Sequence, residues 1–304
     1  MKPYAALERK LGTAIGDATE ALFETTSIEA VSGGCIHTAV AIEGNMAGEA
    51  HRYFAKVNDA EKAAMFAAEA EGLAALSEAD TIAVPNVITH GDDGEHAWLI
   101  LQWLDLGSLD ETTAANLGVA LAAQHRKPHE KFGWAHDNFI GSSPQANGWS
   151  DDWLAFWREK RLMAQLRMAA HNPKRLPSKM IDRGERLAAD CAAFFTTYTP
   201  EKSLLHGDLW NGNASAIEGI TPAVFDPAVY VGDREADLAM TELFGGFPAD
   251  FLAAYRAAWA PDDGYRVRRN FYNLYHLLNH ANLFAGGYVR QAEESTERLL
   301  SEIR

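Results

Sequence analysis

The sequence predicts an α+β protein of two lobes, a small β-rich N-lobe over residues 1–104 and a larger, mainly helical C-lobe over residues 105–304. Strand-type runs separated by turn signals fill the first hundred residues, around one Ala-rich helical stretch. The character changes at a short connector near 103–108, which ends in Leu106-Gly107-Ser108. Beyond it the chain is mostly of helical period, broken by one loop-rich stretch from His206 to about Gly232. With 304 residues and 47% hydrophobic content, the chain has material enough for two lobes sharing a cleft.

Taken in order, residues 4–15 have helical spacing, and residues 28–32, 38–42 and 52–57 are of β type. An Ala-rich helix is expected from about Asp59, a predicted N-cap, to Ser77. Residues 87–89 and 97–103 read as strands on either side of the turn-like Gly91-Asp92-Asp93-Gly94. In the larger lobe, His125 shares a face with Leu117, Leu121 and Gln124 and reads as a satisfied core histidine. A further helix is expected to start near Arg234, with Asp233 as its N-cap. No internal repeat or low-complexity tract is present.

Charge and composition exclude several functions. Lys and Arg total 27 against 42 Asp and Glu, a formal charge of −15, and no basic block offsets it locally. Such a field repels nucleic acid and anionic membranes, so neither is expected as a partner. A nucleotide is still admissible, since a divalent cation can bridge two sets of negative groups. Two cysteines, Cys35 and Cys191, make neither a disulfide framework nor a zinc set. The N-terminus lacks an apolar signal core and no run is long and apolar enough to span a bilayer, so a cytoplasmic protein is the expectation.

The chemistry concentrates in His206-Gly207-Asp208-Leu209-Trp210-Asn211-Gly212-Asn213, which contains the H-x-D-x-x-x-x-N spacing of a kinase catalytic loop. A carboxylate, Asp208, must accept or orient the proton of the attacking hydroxyl. An amide oxygen, Asn213, must reach a metal on the phosphate side, and five residues of loop span that gap. Thirteen residues on, Asp226 ends the apolar run Pro222-Ala223-Val224-Phe225, where a kinase places its main metal-binding aspartate. Mg²⁺ takes oxygen ligands and keeps several waters, so Asn213, Asp226 and phosphate oxygens suffice.

Lys56 lies among apolar strand residues and shares its face with Phe54, so it needs an anion. Glu69, Leu73 and Leu76 fall at i, i+4 and i+7, which puts Glu69 on an apolar stripe; Glu71 does not share that stripe. A Lys56–Glu69 pair holding the lysine against the α/β-phosphates is therefore expected. The adjacent Gly33 and Gly34, ahead of Lys56, suit a loop whose backbone N–H groups approach phosphate.

These segments together resemble the fructosamine kinase (ketosamine kinase) family, within the protein-kinase-like and aminoglycoside-phosphotransferase-like superfamily. The resemblance runs from about Ala14 to Leu300. Besides the catalytic loop it rests on Phe225-Asp-Pro-Ala228, Gly232-Asp-Arg-Glu-Ala-Asp-Leu-Ala-Met240, Leu243-Phe-Gly-Gly-Phe-Pro248 and the 274–284 segment. Asn147-Gly-Trp149 with Trp153, Phe156, Arg161 and Leu162 adds to it.

The resemblance implies a protein-kinase-like fold and ATP-dependent, Mg²⁺-assisted phosphorylation of the C3 hydroxyl of ketosamines, free or on glycated protein lysines. The product then decomposes and frees the amine, a deglycation repair. Carried over, Asp208 is the base, Asn213 and Asp226 the metal ligands, Lys56 and Glu69 the phosphate-positioning pair, with Gly33 and Gly34 over the phosphates. Gln102, Trp103 and Leu104 form the connector where backbone groups read adenine. Trp210, His37 and Asn211 are the candidate acceptor contacts, and Asp237 is expected to brace the catalytic loop. Gln102 stands where relatives often carry an acid, Val231 replaces an aromatic residue, and Ala285 replaces a glycine.

Protein-kinase Asp-Phe-Gly and Ala-Pro-Glu signatures are absent, and no activation segment fits between Asp226 and Arg234, which disfavours protein Ser or Thr as acceptor. A kinase for another amino sugar or amino alcohol, or an idle nucleotide-binding protein, are the competing readings. Cys35, in the glycine loop, is a candidate oxidation-sensitive thiol. The oligomeric state is left open.

Overall fold

The computed structural model describes residues 5–31, 36–171 and 176–303; Gly33, Gly34 and Cys35 lie outside the described residues. The small lobe opens with helix α1 (Ala5–Thr19) and strands β1 (Phe23–Ala30), β2 (Thr38–Met46) and β3 (Glu49–Asp59). Helix α2 (Ala63–Glu78) and strands β4 (Val87–Asp92) and β5 (His96–Gln102) follow. The strands form one antiparallel sheet in the order β1-β2-β3-β5-β4.

Both faces of this sheet are covered. Val40, Ile42, Ala55, Trp98 and Ile100 pack with Leu11 and Ile15 of α1, whereas Leu99, Leu101 and Phe54 pack with Phe66 and Leu73 of α2. Alternation along each strand produces this division, and burial on both faces explains why β5 reads as one continuous apolar run. The same parity sends Lys56, two residues from Phe54, to the α2 side.

Two local expectations are corrected. Asp59 precedes a single 3-10 turn (Ala60–Lys62) rather than α2, and its side chain makes no capping hydrogen bond. The β2–β3 hairpin turns at Ala47 and Gly48, both at positive φ (53° and 87°), so the strands run longer than 38–42 and 52–57. Both central residues of a two-residue hairpin turn take that conformation, and alanine gives no sequence sign of it.

After the connector come β6 (Leu106–Gly107), α3 (Glu111–His125), and the hairpin β7 (Asn138–Ile140) and β8 (Ser143–Gln145). Asp110 and Thr113 cap α3 reciprocally. Helices α4 (Trp153–Trp157) and α5 (Met163–Ala170), joined by a π turn, precede α6 (Ser178–Asp190). Strands β9 (Ser203–Leu205), β10 (Ala214–Ile217), β11 (Thr221–Val224) and β12 (Tyr230–Gly232) lead to α7 (Glu235–Leu243). Helices α8 (Ala249–Trp259), α9 (Tyr265–Phe284) and α10 (Gly287–Glu302) complete the lobe.

The predicted helix near Arg234 is α7. Asp233 stands one position before its cap, yet its carboxylate still accepts the Glu235 N–H at 3.0 Å and the Tyr198 and Tyr272 hydroxyls. His125 is a satisfied core histidine, between Tyr255 Oη at 2.9 Å and Asp237 Oδ2 at 3.3 Å.

The lobes are not joined by the connector alone. Ile82, between α2 and β4, is buried with Leu117, Leu209 and Phe251 of the larger lobe, and Ala83 bridges to Ala223. β9 pairs with β12 and β10 with β11, so the β9–β10 loop and the β11–β12 loop are held side by side. Those two loops carry Asp208, Asn213 and Asp226.

Candidate active site

The β9–β10 loop is built around one buried carboxylate. Asp237, in the first turn of α7, accepts the backbone N–H of His206 at 2.7 Å and of Gly207 at 2.9 Å. Burial alone would raise its pKa, but the His125 donor, the His206 charge and the Gly207 N–H hold it below the usual carboxylate range. Gly207 has φ +81°, and a Cβ there would lie 2.1 Å from the Ala228 carbonyl, so only glycine fits. The His206 ring Nε2 meets the Phe225 carbonyl at 3.0 Å, and Ala228 N–H donates to the His206 carbonyl at 2.8 Å. The two loops are thus laced together.

Asp208 and Asn213 face each other across the loop. Asn213 Nδ2 donates to the Asp208 carbonyl at 2.9 Å, to Asp208 Oδ2 at 3.3 Å and to the Asp226 carbonyl at 3.4 Å. Among the described residues nothing donates to Asn213 Oδ1, which can face a cation. Burial, then the Asp226 charge, pushes the Asp208 carboxyl up to about 7, against the Asn213 bond. A carboxylate poised there is suited to taking a proton near neutral pH.

From the small lobe, Lys56 Nζ reaches Glu69 Oε1 at 2.6 Å and Asp226 Oδ1 at 2.7 Å. The predicted ion pair is therefore present, and Glu71 lies elsewhere, 3.5 Å from His136. Burial disfavours the charged lysine, but the Glu69 and Asp226 carboxylates outweigh it and hold its pKa above the ordinary value. Asp226 has φ +58°, a left-handed conformation unusual for a residue with a Cβ. Its second carboxylate oxygen has no partner among the described residues, so with Asn213 Oδ1 the site offers two oxygens of the hardness Mg²⁺ takes.

Around this centre, Trp103 Nε1 donates to Asp105 and its ring stacks under Arg52, 3.7 Å from the ring centroid. Gln102 spends its backbone N–H on the Asn86 carbonyl, which leaves Trp103 and Leu104 as the connector residues past the sheet. Trp210 is 40% exposed, and Asn211 lies against Gly246. His37 makes no contact with either among the described residues. Its Nδ1 meets Asn58 Nδ2 at 2.8 Å, its ring packs on Phe66, and burial followed by the Lys56 charge lowers its pKa to about 4.

Sequence reasoning missed the support behind Asp226. Asn138 Nδ2 donates to the Val229 carbonyl at 2.7 Å and Gln145 Nε2 to the Ala228 carbonyl at 3.1 Å. Arg161 stands behind them, donating to Ala146 and Asn147 and lying 4.0 Å from the Tyr230 ring centroid. Where a protein kinase has a mobile segment, this chain has a clamped one. No local spacing announces residues so distant in sequence; only the Asn147–Arg161 stretch stood out.

A buried lysine bound to two carboxylates, one from each lobe, beside an Asp–Asn loop, suits a polyphosphate. The class defined by this fold and site is the protein-kinase-like phosphotransferases. Residues 8–302 match the fructosamine kinase family. A protein of Synechocystis sp. named a probable ketoamine kinase is 40% identical over 289 residues, covering 94% of each chain. The chloroplastic protein-ribulosamine 3-kinase of Arabidopsis thaliana is 39% identical, over 88% of this chain and 81% of that one. A crystal structure from Haemophilus somnus, provisionally named a fructosamine-3-kinase, superposes with TM-score 0.84 at 27% identity, over 95% and 96% of the chains. The chain belongs to the fructosamine kinase family.

Proposed function

We propose that the protein transfers the γ-phosphoryl group of ATP to the C3 hydroxyl of ketosamines, the adducts of sugars with amines or protein lysines. Breakdown of the product would then free the amine, a repair role. Lys56, held by Glu69, orients the α/β-phosphates, with Gly33 and Gly34 over them. Backbone groups of the Gln102–Leu104 connector read the adenine. Asp208 accepts the acceptor hydroxyl's proton, and Trp210 and Asn211 line the acceptor side. His37 is better read as part of the phosphate side.

Asn213 Oδ1 and Asp226 would hold Mg²⁺, which when bound supplies positive charge against the phosphate oxygens. Most of the rate enhancement is then positioning and electrostatics in a site with little covalent chemistry. The observation that carries this reading is Lys56 Nζ between Glu69 and Asp226, two carboxylates brought together from opposite lobes.

The test is ADP release with ribulosamine, fructosamine, choline and an aminoglycoside as acceptors. Turnover is expected with the ketosamines, and Asp208→Ala should reduce it by about 10²–10⁴ while nucleotide still binds. Turnover confined to choline or the aminoglycoside would assign a different small-molecule kinase, and a fully active Asp208→Ala would refute the assigned base.

A further inference from the structure

We infer that an aromatic run leading away from the catalytic loop, Trp210–Phe244–His280–Tyr288–Phe284, binds the amine side of the acceptor and selects ketosamines carrying an extended N-alkyl group. The inference rests on the ketosamine reading above and names the part of the acceptor that this surface takes.

The run begins two residues after Asp208. The Trp210 ring packs on Gly212, where a Cβ would be 2.2 Å from a ring carbon, so the indole is pressed close to the loop. Phe244, at the end of α7, stands edge-on to it at 6.4 Å between centroids. His280 packs 5.0 Å from Phe244 and 4.9 Å from Tyr288, with Phe284 5.7 Å away. A strained break puts Tyr288 there: Ala285 and Gly286, both at positive φ (56° and 62°), fold α10 back across the end of α9. A non-glycine residue held in such a conformation marks a geometry the surroundings impose.

Three of these rings are exposed, whereas Tyr288 packs in part against the core of the helical lobe. Trp210, Phe244 and Phe284 are 40%, 37% and 52% exposed, three of only eight large hydrophobic residues so exposed among the described residues. Their polar complement is His280. Its Nδ1 meets the His276 carbonyl at 2.8 Å and must donate there, which makes Nε2 of the neutral ring an acceptor. Burial lowers its pKa and keeps it neutral. Cation–aromatic contacts within the chain use other rings, so no resident Lys or Arg occupies these faces among the described residues.

A ketosamine matches this layout. With its C3 hydroxyl at Asp208 and its sugar over Trp210, the secondary ammonium falls roughly 5 Å further on in an extended acceptor. There the faces of Phe244 and Tyr288 attract a cation and His280 Nε2 accepts its N–H. Methylenes beyond the nitrogen run toward Phe284, where the surface opens to solvent.

The experiment compares kcat and KM for an unsubstituted 1-amino-1-deoxyketose and its N-hexyl derivative. Wild type should favour the hexyl compound by about ten-fold in kcat/KM. Phe284→Ser, which removes the ring that the methylenes reach, should raise KM for the hexyl acceptor by about ten-fold and far less for the unsubstituted one. Phe244→Leu and His280→Phe remove contacts to the nitrogen that both acceptors carry and should raise KM for both. Equal use of both acceptors by wild type, no change in the hexyl preference in Phe284→Ser, or an unchanged KM for both acceptors in Phe244→Leu overturns this inference and leaves the ketosamine reading standing. No turnover of either acceptor removes both.

Discussion

Replacing Asp237 with Ala should loosen the catalytic loop without removing any group that meets the substrates. The carboxylate is 1% exposed and accepts two backbone N–H groups, from His206 at 2.7 Å and Gly207 at 2.9 Å. It also fixes the His125 tautomer: a carboxylate only accepts, so His125 Nε2 donates to it and Nδ1 accepts from Tyr255. A hydrogen bond to a charged group is worth about 1.5–3 kcal/mol, and its loss here strands three buried donors, so about 4 kcal/mol is expected. For a cooperative unit the size of the helical lobe, that is a fall of about 10 °C in Tm. Asp208 follows these two N–H groups directly in the chain, and a displacement near 1 Å costs about 100-fold in kcat, with a smaller change in the KM for ATP. Thermal unfolding and ADP release with a ketosamine measure both quantities. Asp237→Asn keeps one acceptor oxygen and should lie between wild type and Asp237→Ala. An unchanged Tm together with an unchanged kcat in Asp237→Ala would refute the reasoning.

Lys56→Met leaves Glu69, whose side chain is 12% exposed, without its counter-charge, so stability should drop by about 3–5 kcal/mol. The double variant Lys56→Met/Glu69→Leu should regain most of that loss in urea unfolding and none of the activity; recovery of activity would refute the phosphate-positioning role. His276, buried on α9 and with Nδ1 unpartnered among the described residues, has its pKa driven down to about 3, chiefly by burial. Its folded-state value lies below the ordinary 6.5, so the unfolded chain takes up the proton first and stability is lost as pH falls below about 6.5. From pH 7 to pH 5 this one group should remove about 2 kcal/mol, and His276→Leu should remove that part of the slope. Parallel pH dependences for wild type and variant would show that the group is not held neutral.

Much of the site was legible locally. The period of two along β3 assigned Lys56 to the Phe54 face, and the helical spacing of Glu69, Leu73 and Leu76 assigned Glu69 to the inner stripe, so their meeting followed from two short-range rules. The five-residue step from Asp208 to Asn213 is likewise a property of one loop. Asp59 misled because its side chain had a free choice of turn, and the backbone began with a 3-10 turn instead. Ala47 hid a hairpin because alanine carries no mark of the positive φ that the strand twist demanded there.

By itself the sequence determined the two-lobe α+β division, the family and the residue types of the phosphate site, since each depends on spacing within a single strand, helix or loop. Only the tertiary structure decided that Asp226 meets Lys56 across 170 positions, that Asn138 and Gln145 grip the chain just after it, and that Phe244, His280 and Tyr288 extend the surface begun by Trp210. Contacts of that kind have no period to read. They exist because packing the two lobes and their helices together brings close groups whose separation along the chain sets no limit on their distance in space.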